Sequence, residues 1–154
     1  MSLQEKLEQM ILPVVTGLGY VLWGLEFVRH GHSATLRVYI DKPAGITLDD
    51  CEKVSRQISA LMDVEDPIEV AYRLEVSSPG LERPFFHYEQ LTAYVGQEVR
   101  MRVHSRGAGR KRNFSGFLRQ LTDGAVTLED EQGQMQTLLW REVDKASLIV
   151  RFDD

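Results

Sequence analysis

The sequence predicts an α+β protein in two parts: an N-terminal α/β domain built helix-strand-strand-helix-strand, then a C-terminal SH3-like small β-barrel. Three observations carry this reading. Helical periodicity appears twice in the first half, interleaved with short strand patterns. The second half carries five strand signals and little helix. Between them stands Ser77-Ser78-Pro79-Gly80, the strongest break in the chain, reinforced by Pro84. The domains are therefore placed at 1–82 and 83–154, with a joint over 77–84.

The elements of the first half follow in order. Leu3, Leu7, Met10, Ile11, Val14, Val15 and Leu18 recur at helical spacing. Pro13 interrupts them and predicts a kink or an early end, and Gly17 and Gly19 stop the helix. From Tyr20 to Val28 apolar residues occupy both alternating sets, the pattern of a strand buried largely on both faces. His30-Gly31-His32 supplies a turn, and Leu36, Val38 and Ile40 form the returning strand. After Lys42-Pro43-Ala44-Gly45, Thr47 caps a second helix. Asp49 and Asp50 lie in its first turn, where the positive helix end favours carboxylates. Leu48, Cys51, Val54, Ile58, Leu61 and Met62 mark its apolar face, and Val64 to Pro67 end it. Val70 to Val76 is the third strand.

The second half opens with a short helix from Tyr88 to Val95. Val99, Met101 and Val103 then alternate with Glu98, Arg100, Arg102 and His104. A polar loop, Ser105 to Asn113, follows. Phe114 to Leu121, Ala125 to Leu128 and Met135 to Leu139 are further strands, joined by hairpin turns at Thr122-Asp123-Gly124 and Glu131-Gln132-Gly133. Trp140 to Val143 makes one helical turn before a last strand, Ala146 to Val150.

Composition narrows the function classes. Hydrophobic residues are 43% and charged residues 27% of 154, enough for a packed core. No apolar run is long enough for a membrane span, and Met1 to Met10 has neither signal-peptide nor transit-peptide layout. A single cysteine excludes a disulfide framework; together these features point to the reducing cytoplasm. The net charge of −5 divides unevenly. Residues 1–91 hold 8 basic and 14 acidic residues, and residues 92–154 hold 10 and 9.

Candidates for chemistry are few. Cys51 lies on an apolar helix face behind two carboxylates, which fits a structural thiol better than a nucleophile. His30 and His32 are too few for a closed metal site. No phosphate loop and no nucleophile elbow is present. These features predict no enzyme, no metal and no cofactor.

Two stretches suit binding. At the joint, Ser77, Ser78, Pro79, Gly80, Leu81 and Arg83 combine hydroxyls, a Pro-Gly turn and a guanidinium. They fit capture of an anion or a peptide carbonyl, and they equally fit a rigid hinge whose arginine pairs with Glu82 or Glu75. The loop cations Arg106, Arg110, Lys111 and Arg112 have no acid among them from Ser105 to Asn113. They suit nucleic-acid phosphates or an acidic partner, against the plainer reading of a solvated hairpin loop. Phe114 next to them is a base-stacking candidate or a core residue.

The stretch Ser77-Ser78-Pro79-Gly80-Leu81-Glu82-Arg83-Pro84 resembles the interdomain signature of the ribosome maturation factor RimP family. Tyr39-Ile40-Asp41, Gly45-Ile46, Asp49-Asp50-Cys51 and Met62 to Ile68 are similar to the family in order and separation. Phe85 departs from the leucine expected after the Arg-Pro pair, and Gly107-Ala108-Gly109 looks inserted in the basic loop. The resemblance implies a non-enzymatic factor without cofactor, acting on the free immature small (30S) ribosomal subunit. Its implied partners are 16S rRNA and ribosomal protein S-twelve, which such factors help install. A monomer is expected, because no spare apolar helix or strand stands out. The competing reading is a stand-alone Sm-like RNA-binding module.

Overall fold

The computed structural model describes residues 2–104 and 110–151. The chain divides into two compact units, Met1–Pro79 and Gly80–Asp154.

In the first unit, α1 spans Leu3–Gly17. Ser2 caps it, its hydroxyl accepting from the Glu5 N–H at 3.1 Å. Leu7, Ile11 and Val15, four residues apart, are its buried line. Contrary to the expectation of an early end, the helix runs through Pro13. Pro13 and Gln9 are both exposed, so the hydrogen bond that proline forfeits lies away from the core. Burial of the opposite face holds the helix together across the gap.

Strand β1 (Val21–His30) pairs antiparallel with β2 (Ser33–Asp41). Helix α2 (Leu48–Glu65) then carries the chain to β3 (Ala71–Ser77), parallel to β2. The strand order is β1-β2-β3, so β2 is central. Parallel neighbours require a crossover of this kind. The core gathers Leu36, Val38 and Ile40 of β2 against Leu7 and Ile11 of α1 and Val54 and Ile58 of α2. The expectation that β1 is buried on both faces is corrected here. Only Gly24 and Leu25 are buried, because β1 is an edge strand. Its doubled apolar pattern comes from a β-bulge between Leu22 and Gly24. The extra residue, Trp23, shifts the phase, so Leu22 opposite Ile40 and Leu25 opposite Val38 both serve the core.

Helix α2 begins in a reciprocal cap. The Thr47 hydroxyl accepts from the Asp50 N–H at 3.2 Å, and the Asp50 carboxylate accepts from the Thr47 N–H at 2.8 Å. The same carboxylate accepts the Tyr20 hydroxyl and faces the Lys42 ammonium at 3.3 Å. The Tyr20 bond, followed by the Thr47 backbone bond, holds the Asp50 carboxyl well below the usual carboxylate range, against the opposing effect of burial. A depressed folded value contributes stability that is complete above the unfolded value of about 3.9 and is lost as pH falls toward the folded one. Asp50→Asn is therefore expected to flatten the acid limb of stability. Urea midpoints measured downward from neutral pH check this; identical acid limbs for parent and variant would remove Asp50 from the account.

The second unit is built from a 3-10 helix (Tyr88–Tyr94), β4 (Glu98–His104), β5 (Lys111–Thr122), β6 (Ala125–Glu129), β7 (Met135–Leu139), a 3-10 turn (Trp140–Glu142) and β8 (Val143–Leu148). All pairings are antiparallel, in the order β7-β6-β5-β4-β8. Val99, Met101, Leu118, Val126 and Leu128 are buried, one alternate set from each strand. Asp123 and Gly124, with φ of 50° and 80°, form the tight turn between β5 and β6 that needs two left-handed residues. Strand β8 starts at Val143, three residues before the predicted Ala146, because pairing with β4 begins directly after the 3-10 turn, at Val103 opposite Val143.

Candidate functional site

Two groups of predicted residues are placed by different elements. In the joint stretch, Ser77 ends β3 opposite Tyr39, and Ser77 and Ser78 are exposed while Pro79 is buried. Gly80 takes φ +79°, a conformation that an L side chain rarely adopts. Leu81 is 69% exposed. From Arg83 the stretch is bound to the last strand of its own unit. The Leu148 N–H donates to the Arg83 carbonyl at 2.9 Å, the Phe85 N–H donates to the Ala146 carbonyl at 2.8 Å, and Pro84 bridges Ser147. Residues 83–85 thus lie along β8 like a short extra strand. Phe85 is buried and meets the Tyr94 ring edge-on at 5.2 Å, so the departure from leucine keeps its core role. Glu75, one suggested partner for Arg83, is paired with Arg37 at 2.9 Å.

The basic loop is the second group. Arg106 and Gly107-Ala108-Gly109 lie outside the described residues. The loop assignment of Lys111, Arg112 and Asn113 is corrected: all three belong to β5, opposite His104, Val103 and Arg102. The strand begins before Phe114 because ladder pairing to β4 tolerates exposed charged side chains at its end. Arg110 is exposed and precedes the strand. The Arg112 guanidinium sits over the Phe114 ring at 5.3 Å, and the ring is half-buried, which occupies the stacking candidate from within the chain.

The fold brings residues to Lys111 that sequence inspection did not associate with it. Arg102 donates its Nε–H to Asp144 at 2.7 Å, and the Lys111 ammonium lies 3.7 Å from the same carboxylate. The Arg102 bond holds the Asp144 carboxyl below its ordinary range; burial opposes this, and Lys111 and His104 add to it. His104, Arg141, Glu142, Val143 and Asp144 line a depression beside this pair. Alternation in β4 was visible in the sequence. Its register with β8, which delivers Asp144 and Lys145, has no local signal.

The groups considered for chemistry are placed unfavourably for it. Burial and then Asp50 push the Cys51 thiol up, away from the reactive thiolate. His30 and His32 are exposed around the hairpin turn, with His30 Nε2 3.3 Å from the Thr35 hydroxyl. Among the described residues no group of three or more His, Cys, Asp or Glu is arranged to hold a metal ion. No described helix is long and apolar enough to cross a membrane.

Residues 10–82 match the family model described as the RimP N-terminal domain. Residues 10–82 are a RimP N-terminal domain. The family is one of ribosome maturation factors. The match runs from α1 through β3 and ends within the joint stretch. It covers the acidic half, with the capped helix and its carboxylate knot, and stops short of the basic strands.

Proposed function

We propose that this chain is a non-enzymatic assembly factor that binds the free, immature 30S subunit in the cytoplasm and helps install ribosomal protein S-twelve. The observation that carries the proposal is the RimP N-terminal domain match over residues 10–82. The charge division supports a physical mechanism. Ribosomal proteins are strongly basic, and a first domain with 13 acidic against 7 basic residues over 1–82 attracts such a partner electrostatically. The second domain, taken as an SH3-like barrel over residues 83–154, supplies cations for 16S rRNA phosphates, with Arg106, Arg110, Lys111 and Arg112 as contacts. The strand order with β4 between β5 and β8, and the 3-10 turn before the last strand, support the barrel reading. In the joint, Ser77, Ser78, Pro79, Gly80, Leu81 and Arg83 are the proposed partner contacts, Leu81 being the exposed apolar anchor. The protein acts as a monomer and without a cofactor.

A sucrose-gradient profile of the tagged chain tests this. Co-migration with free small subunits and absence from polysomes is the expected result. An even spread through the gradient would contradict it. Sedimentation with free RNA alone would favour the Sm-like RNA-binding module instead.

A further inference from the structure

Strand β4 is flanked by β5 and β8, and the register of the three fixes which side chains share the outer face. Val99 and Met101 point inward, so Arg100, Arg102 and His104 point outward. Opposite Arg102 stand Lys145 on β8 and Asn113 on β5. Opposite Arg100 stand Ser147 and Ser115. Opposite His104 stands Lys111. Residues directly opposite on paired strands face the same way. Neighbouring strands are about 4.8 Å apart, and alternate residues along one strand about 6.7 Å apart. Arg100, Arg102, Lys111 and Lys145 therefore form a two-dimensional grid of cations on a hydrogen-bonded scaffold.

The composition of the grid selects its occupant. Between the cations lie His104 and the short polar side chains Asn113, Ser115 and Ser147. Two carboxylates border the four cations: Asp144, whose bond to Arg102 fixes that guanidinium in place, and Glu98, next to Arg100 and paired with Arg151. Protein interfaces are centred on apolar and aromatic anchors and are poor in lysine. This grid has lysine and arginine and no apolar anchor. Phe117, 42% exposed, stands between Glu98 and Glu129 at the edge of this grid, its ring already covered by the Arg119 guanidinium at 5.2 Å. Cations with short hydrogen-bonding side chains and no aromatic platform suit a phosphate backbone read by charge and position, without sequence preference.

We infer that the outer face of β8-β4-β5, centred on Arg100, Arg102, Lys111 and Lys145, is an RNA-backbone binding surface, with Arg110 at its margin. The choice of RNA as the polyanion rests on the proposed ribosomal role. The inference moves the main contact from the tip of a loop to the face of a sheet.

The test uses the full chain and a mixed-sequence RNA duplex, with affinity followed by fluorescence anisotropy between about 50 and about 200 mM salt. Arg100→Gln/Lys145→Gln removes two exposed cations and breaks no ion pair described above. Its salt slope is expected to fall by about 2, with affinity lower by about tenfold at the low-salt end. The charge-preserving Arg100→Lys/Lys145→Arg should keep the parental slope, which separates charge from folding. Unchanged slope and affinity in the glutamine variant would overturn the inference, as would displacement of the RNA by polyglutamate at equal charge concentration, which marks an acidic protein as the occupant. Continued co-migration with free small subunits alongside an unchanged slope would overturn this surface alone. A normal RNA slope without co-migration would instead overturn the ribosomal role.

Discussion

Gly116→Val is expected to unfold the second unit at temperatures the parent chain withstands. Gly116 is buried in the middle of β5, opposite Val99 of β4. A Cβ built there would lie 2.5 Å from the Glu129 carbonyl oxygen and 3.0 Å from its carbon. Both obstacles are backbone of β6, so no rotamer change relieves them. The neighbouring pair Phe117–Glu129 is part of the β5–β6 ladder, and moving Glu129 breaks it. Overpacking a well-filled site costs about 1–3 kcal/mol, and a clash with fixed backbone belongs at or above the upper end. For a unit of this size that corresponds to roughly 10–20 °C in Tm. Thermal unfolding followed by circular dichroism checks it. A Gly116→Val variant melting within a few degrees of the parent would show that β6 can retreat.

Leu36→Ala should produce a comparable loss in the first unit. Leu36 is fully buried on β2, opposite Phe27 of β1 and Leu74 of β3, beneath both helices. Truncation leaves a cavity that elements on every side would have to collapse into, and such changes cost about 2–5 kcal/mol. Leu48→Ala is the matched control: the same change at a residue 89% exposed should stay within about 0.5 kcal/mol. Urea unfolding of the two variants separates them. Equal midpoints would mean that burial does not set the cost at these positions.

The helix-strand-strand-helix-strand order, the cap at Thr47 and the hairpin turn at Asp123-Gly124 were all legible in the sequence, because each rests on local chemistry. Errors arose where distant pairing decides. The bulge at Trp23 disguised an edge strand as one buried on both faces. Of the kink or early end expected at Pro13, the early end did not occur, because the buried line Leu7-Ile11-Val15 carries the helix past it. Lys111 and Arg112 looked like loop residues because glycine and charge surround them, yet β4 draws them into its ladder. Arg100, Lys111 and Lys145 are distant in sequence, and only strand register makes them neighbours. Binding surfaces made of sheet faces are for this reason harder to read than those made of contiguous motifs.

The backbone bonds from Arg83 and Phe85 to β8 tie the beginning of the second unit to its end. During synthesis, residues 83–85 leave the ribosome long before Ala146 to Leu148 exist. Until then their hydrogen-bonding groups, and the open side of β4, have no strand to meet. Completion of the unit is thus postponed until β8 has been added, and a chain stopped before Val143 would expose two unpaired edges to any neighbouring strand.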